Sequence, residues 1–349
     1  MKTLMNKRLI LVLSIITLLT LSCQSAAPVI SLPSSHAAPL ILVTQDPNAP
    51  PTSTPFQPIA PTPTRILTKA PAFTATPLKT STPTIPPAIS TSAPPAGLFN
   101  ILVLGSDYRP TSGFRTDTIL LVSINPSKGT VSAISFPRDL YVNIPGYGQE
   151  RLNTAEARGG FRLMADTFQA NFGVRPQYYV MTNMQGFVNI VDSLGGIEVN
   201  AAQRLTDKCK LPIARGGYCT VGPGKVKMDG QTALWYVRSR YSTSDFDRTR
   251  RAQEVVLAMF YKMMSLNVVT RTPELYNQFR KNVETNLSLA DIVSLIPTAV
   301  QVSADPSRIH RYAIGGGETI PYITPGGASV LLPRQDLIIS LIQRALRAQ

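Results

Sequence analysis

Residues 100–136 read NILVLGSDYRPTSGFRTDTILLVSINPSKGTVSAISF. Three apolar runs stand out: Asn100–Gly105 (NILVLG), Asp117–Ile124 (DTILLVSI) and Thr130–Phe136 (TVSAISF). Each has the length and residue types of a strand, and Asn125-Pro126-Ser127-Lys128-Gly129 reads as a hairpin-like turn between the second and third. Antiparallel pairing would bring the end of the first strand, the start of the second and the end of the third to one edge. Each of these points carries an Asp/Arg set. Asp107 and Arg109 lie in GSDYR, Arg115 and Asp117 in FRTDTILL, and Arg138 and Asp139 in SFPRDLYV.

Outward from this core, strands alternate with helices. The spacing predicts helices over Arg162–Phe172 and Met184–Leu194, the latter closed by Gly195-Gly196, with strands at Tyr178–Met181 and Ile197–Val199. A helical turn over Gln231–Leu234 leads into a predicted strand Trp235–Arg240, and Arg248–Met264 is a long helix. Ser288 caps a helix from Leu289 to about Val302, and Gln335–Leu346 is a final amphipathic helix. The expected fold class is α/β: a single α-β-α domain with a central mixed sheet covered on both faces.

A second charged cluster lies in Arg238–Gln253, RSRYSTSDFDRTRRAQ. On a strand, Arg238 and Arg240 would share one face. Arg248 and Arg251, three apart at a helix start, would share another, with Arg250 off that face. Guanidinium groups converging from two elements suit a di-anion with several oxygens, such as a phosphate or diphosphate. Asp245 and Asp247 can cap the helix, hold the arginines or take a substrate proton. Taken singly, each of these residues has a plainer role, as turn former, N-cap or surface ion pair. Taken jointly they ask for one ligand, an anionic phosphate group with a metal. Mg²⁺ suits it, since that ion takes one or two protein carboxylates plus phosphate oxygens and waters.

The chain has 349 residues, and they divide by composition. Lys2, Lys7 and Arg8 precede the apolar run Leu9–Leu21, a secretory pattern too short for a comfortable membrane span. Cys23 follows in LTLSCQS, so residues 1–23 are either a lipoprotein signal with Cys23 as the acylated anchor, or a simple signal peptide or signal anchor. Residues 24–97 hold 17 of the 30 prolines with many Thr, Ser and Ala, which predicts a disordered stalk. Residues 98–349 form the folded part. Six of the 34 basic residues and one of the 20 acids precede Gly97, so this part carries 28 positive and 19 negative groups. The excess favours anionic partners, and the export signal disfavours nucleic acid. Cys209 and Cys219, ten apart in a Gly/Pro-rich loop, suit a disulfide outside the cytoplasm.

The order NILVLGSDYR, RTDTILLVSI, ISFPRDLYVNIPG, RLNTAEARGG, FVNIVDSLGGIEV and MDGQTALWYVRSRYSTSDFDRTRRAQEVV resembles the LytR–CpsA–Psr family from about Asn100 to Met264, with a weaker tail at TNLSLADIVSL. The resemblance implies an α-β-α domain that binds a polyprenyl-diphosphate-linked glycan. It implies transfer of the glycan phosphate to a peptidoglycan hydroxyl, with release of polyprenyl phosphate and the lipid in an apolar tunnel. It implies Mg²⁺ (or Mn²⁺) at Asp107 and Asp117, and diphosphate held by Arg115, Arg138, Arg238, Arg240, Arg248 and Arg251. Arg109, Asp139, Asp245 and Gln253 fall in the same motifs. Ala252 departs from the pattern, where a second glutamine is usual. The implied location is extracytoplasmic, the domain held at the membrane by its N-terminal anchor. Rival functions are a non-catalytic polyprenyl (di)phosphate binder, a hydrolase of the same lipid-linked diphosphate, and a transcription attenuator, which an exported domain does not suit.

Overall fold

The computed structural model describes residues 97–107, 114–266 and 268–348. The predicted signal, the anchor residue Cys23, the stalk and Arg109 lie outside the described residues. The first three strands are β1 (Phe99–Ser106), β2 (Thr116–Asn125) and β3 (Thr130–Phe136). Two short strands, β4 (Tyr141–Ile144) and β5 (Gly148–Arg151), and helix α1 (Ala155–Phe172) lead to β6 (Tyr178–Asn183) and α2 (Met184–Ser193). Then come β7 (Ile197–Ala201), β8 (Leu205–Lys208), β9 (Tyr218–Val221), β10 (Gly224–Met228), α3 (Gly230–Arg238), α4 (Asp245–Ser265) and α5 (Val268–Phe279). The chain continues through β11 (Glu284–Thr285), α6 (Leu289–Ala304), β12 (Ile309–Ala313), β13 (Thr319–Ile323) and β14 (Ser329–Pro333) to α7 (Gln335–Arg347).

The central sheet is mixed and six-stranded, in the order β11-β6-β1-β2-β3-β12. β2 is antiparallel to β1 and β3, whereas β6 and β12 run parallel to their neighbours β1 and β3. One sheet face is sealed. Leu102, Leu104, Ile119, Leu121, Ile134 and Phe136 pack beneath α1 and α7, where Phe136 meets the rings of Phe168 and Phe172 at 4.8 and 5.0 Å. The other face is covered less completely. Val103, Val122, Ile124, Ala133 and Val180 are only partly buried, as are Leu289, Ile292, Leu295 and Ile296 of α6. Ile101 and Leu120 on the same face are buried, so this apolar face is covered in part.

Two sequence expectations are corrected. Trp235–Arg240 is not a strand: α3 runs to Arg238, and Arg240 sits in the following loop. The aromatic and β-branched residues of WYV favour a strand locally, but tertiary packing selects the helical period. Thr232, Ala233 and Tyr236 point inward, and Asp229 caps the helix by accepting from the Thr232 amide. Gly230 admits the close approach of α2, since a Cβ there would lie 2.5 Å from the Val188 carbonyl oxygen. The first helix begins at Ala155 rather than Arg162 and kinks at Gly159-Gly160.

Candidate functional site

The predicted edge forms. Ser106 pairs with Thr116 and Ile119 with Phe136, so GSD, RTD and PRD meet at one end of the sheet. The register slips by one residue there: Gly105 faces Thr118 and Ser106 faces Thr116. Asp117 is therefore the extra residue of a bulge, a device that re-aims a side chain at a strand end. Its carboxylate accepts from Arg138 Nη1 at 2.8 Å. Asp107 is buried and accepts from the Arg115 amide at 2.8 Å, while its own amide donates to the Arg115 carbonyl.

Arg138 is the hub of the edge. It pairs with Asp117 and, through Nε, with Asp139 at 3.3 Å. Burial alone would lower the pKa of its guanidinium. The hydrogen bond to Asp117 and the charges of Asp117, Asp139 and Asp245 reverse that and hold it above the ordinary arginine value. Asp139 also meets Arg151 Nε at 3.4 Å, and Arg151 Nη2 donates to the Ser329 carbonyl. Sequence reasoning missed Arg151. Its only signal was its place at the head of RLNT, the segment whose amides at Leu152 and Asn153 hold the Leu140 and Arg138 carbonyls.

The same stretch carries buried acceptors, Asn153 Oδ1 and Glu156 Oε2, that have no hydrogen-bond partner among the described residues. Burial first, and the charge of Glu284 second, push the Glu156 carboxyl up to about 7. A folded-state pKa above the unfolded one means that the stability it contributes is present in acid and lost as pH rises through 7. Glu156→Gln is expected to flatten the pH dependence of stability between about 4.5 and 7, and to raise stability above pH 7 by roughly 1–3 kcal/mol. Thermal melts of both proteins at pH 5 and pH 8 check this.

Helix α4 supplies the facing wall. Ser244 is its N-cap, and Asp247 completes a capping box: its Oδ2 accepts from the Ser244 amide at 3.3 Å and its amide donates to Ser244 Oγ at 3.1 Å. Burial would raise the Asp247 carboxyl, but the Ser244 hydrogen bonds and the Arg250 and Arg251 charges hold it below its usual range. Asp245 instead pairs with Arg248 at 2.9 Å and adds to the field on Arg138. Asp117, Ser135, Arg248, Ala252 and Gln253 line one narrow crevice between α4 and the β2–β3 edge. Gln253 is fixed there, donating to Ser135 Oγ and the Tyr312 carbonyl and accepting from Arg311 Nε at 3.2 Å. Arg311, also missed from sequence, bonds Gln253 and lines a separate cleft of about 1030 Å³ between β7, β10 and α4.

The predicted arginines do not all converge. Arg248 lines the crevice. Arg115, Arg238 and Arg240 are exposed, and none has a protein ion-pair partner among the described residues. Arg251 does not face the crevice. It is only 1% exposed, and its guanidinium donates to the Tyr236, Ser239 and Asp247 carbonyls and to Thr243 Oγ1. The sharing of a face with Arg248 fails because α3 ends against α4 and offers Arg251 those carbonyls. Arg250, off that face, is partly buried and paired with Glu254 and Asp247. Cys209 and Cys219 are joined by a disulfide with Cα atoms 5.6 Å apart.

Among the described residues no cluster of three or more His, Cys, Asp or Glu side chains is placed to hold a metal. Two carboxylates at one strand edge still fit Mg²⁺ as a donor set, because that ion draws its remaining oxygens from substrate phosphate and water. The arrangement gathers arginines and carboxylates at the C-terminal end of β1 and β3 of an α-β-α scaffold, with the N-terminus of α4 facing them.

The chain belongs to the LytR_cpsA_psr family, whose model matches residues 72–320. It is 34% identical over 205 residues to the polyisoprenyl-teichoic acid–peptidoglycan teichoic acid transferase TagU of Oceanobacillus iheyensis, covering 56% of this chain and 61% of that one. It is also 34% identical over 206 residues to TagT of Bacillus subtilis, a transferase of the same description, covering 57% and 63%. The chain thus spans about three fifths of the length of these relatives. The solved structure of TagT bound to LIIa-WTA superposes with a TM-score of 0.55 at 26% identity, over 74% of this chain and 93% of that one.

Proposed function

We propose that this protein is a phosphotransferase that attaches a polyprenyl-diphosphate-linked glycopolymer to peptidoglycan and releases polyprenyl phosphate. The observation that carries the reading is the Arg138 hub, with Asp117, Asp139 and Asp245 around one guanidinium, beside the crevice that Asp117 and Arg248 line. The named activity of the TagU and TagT relatives supports it. So do the partly exposed apolar side chains of that sheet face and of α6, which suit contact with a polyprenyl chain.

In this reading Arg138 and Arg248 grip the diphosphate, and Arg115, Arg238 and Arg240 reach it from the rim. Asp107 and Asp117 would hold Mg²⁺ or Mn²⁺, which would supply charge neutralisation to the diphosphate. An acceptor hydroxyl attacks the sugar-proximal phosphorus. The bond from that phosphorus to the bridging oxygen breaks, and the electron pair leaves with polyprenyl phosphate. Asp245, paired with Arg248 and outside the capping box that engages Asp247, is the carboxylate assigned to the hydroxyl proton. The 1030 Å³ cleft beyond Arg311 gives the glycan room. Catalysis of this kind rests on positioning and charge stabilisation. The location is extracytoplasmic, with the domain held at the cell membrane by the N-terminal segment, either lipid-modified at Cys23 or retained as a signal anchor.

The test is release of polyprenyl phosphate by the full chain given lipid-linked glycopolymer and peptidoglycan. Asp117→Ala is expected to cut turnover by about 100-fold or more, as does chelation, with Mg²⁺ or Mn²⁺ restoring the wild type only. Normal turnover in Asp117→Ala and in Asp107→Ala refutes the metal role. Tight donor binding without any release favours a lipid-carrier binder, and release that is independent of peptidoglycan favours a hydrolase.

A further inference from the structure

The disulfide-closed ribbon carries groups that neither the core nor the phosphate site uses. The disulfide between Cys209 and Cys219 closes the turn from β8 into β9, CKLPIARGGYC. Ile213 and Tyr218 are 49% and 48% exposed. Lys208, Lys210 and Arg215 are exposed beside them. Asp207 is the one carboxylate between Arg204 and Tyr218, and it is buried, accepting from the Lys208 and Tyr241 amides. The outer surface of the ribbon therefore offers cations and apolar groups with no exposed acid.

This ribbon is fixed to the arginine loop. The Tyr241 amide donates to Asp207 Oδ2 at 3.1 Å, and the Trp235 indole donates to the Lys208 carbonyl at 3.0 Å. Tyr241 itself is 86% exposed. The disulfide and the Thr206–Thr220 hydroxyl pair at 2.9 Å hold the ribbon in shape, so docking has little further chain to order.

A single exposed isoleucine is ordinary. Three large, exposed apolar side chains interleaved with lysine and arginine are the composition of an interfacial segment, with apolar bodies at the acyl boundary and cations among anionic headgroups. A dissolved polyanion would satisfy Lys208, Lys210 and Arg215 but leave Ile213, Tyr218 and Tyr241 in water. We propose that the 205–221 ribbon is a docking element for an anionic lipid bilayer. Its seating holds the Arg238–Tyr241 segment at headgroup level. This inference stands apart from the transferase reading, and its test does not use transfer.

Trp235 is the chain's one tryptophan, and its indole, bonded to the Lys208 carbonyl, gives a single fluorescent reporter beside this ribbon. The full chain is mixed with phosphatidylglycerol vesicles containing lipid spin-labelled near the headgroup. The N-terminal segment can tether every sample, so the readout is quenching of Trp235 and not partitioning. Quenching is expected in these vesicles and is several-fold weaker in phosphatidylcholine vesicles or at about 0.5 M salt. Lys208→Glu/Lys210→Glu/Arg215→Glu is expected to weaken engagement on the order of 100-fold. Ile213→Ser/Tyr218→Ser, checked for an intact disulfide and an unchanged melting curve, is expected to lose the quenching. Absence of quenching in the anionic vesicles, or quenching unchanged in the serine variant, overturns the proposal. So does ribbon-dependent binding to isolated wall polymer without quenching in vesicles, which would make this a polyanion site.

Discussion

Arg138→Ala is expected to lower transfer by about 100- to 1,000-fold, the largest loss from any single substitution at the charged edge. The reason is geometric. Asp117 and Asp139 both bond to this guanidinium, and Asp245 lies within its field. Removing it takes away a donor to the diphosphate and leaves three carboxylates facing a di-anionic substrate. Arg138→Lys keeps the charge but cannot reach Asp117 and Asp139 from a planar fork, so it is expected to recover only part of the loss. Donor binding should fall together with turnover. The check is a pair of measurements, affinity for a polyprenyl diphosphate and the rate of polyprenyl phosphate release, on proteins of matched melting temperature. Arg138→Ala with wild-type turnover would remove the hub from the mechanism.

The charged edge was legible in the sequence because it rests on strands, and strand ends are fixed by hairpin register. GSD, RTD and PRD needed only antiparallel pairing of three runs to meet, and the register delivers that pairing. The bulge at Asp117 was not legible, since a one-residue slip leaves no mark in composition. The facing wall was harder. Local preference in WYVRSR points to a strand, and only the packing of Tyr236 and Ala233 against the α4 side makes it a helix. That change of period moves Arg238 and Arg240 off a shared strand face and sends the α3 carbonyls toward Arg251. Arg151 and Arg311 were invisible for another reason. Each is recruited by a tertiary partner far away in the chain, Arg151 by the Ser329 carbonyl and Arg311 by Gln253.

Arg251 supplies the sharpest contrast with Arg138. Its motif position implies a ligand for diphosphate, yet its guanidinium is buried and engaged by the carbonyls that close α3. Tyr236 stacks nearby, its ring centroid 5.5 Å from Arg251 Cζ. Burial lowers the pKa of the guanidinium, but arginine remains charged, so the group is a permanent cation held by neutral oxygens. Arg251→Met keeps much of the packing volume and strands the Tyr236 and Ser239 carbonyls without their donor. Each stranded group costs about 1–3 kcal/mol, so a loss of roughly 3–5 kcal/mol is expected. The Arg238–Tyr241 loop hangs from the same anchor, so donor binding should fall only as far as that loop is displaced. Denaturant unfolding of Arg251→Met beside Arg248→Met separates the two roles. Arg248→Met should lose affinity for the diphosphate with the smaller change in midpoint, and Arg251→Met should show the reverse. A wild-type midpoint for Arg251→Met, with binding abolished, would return this residue to the ligand.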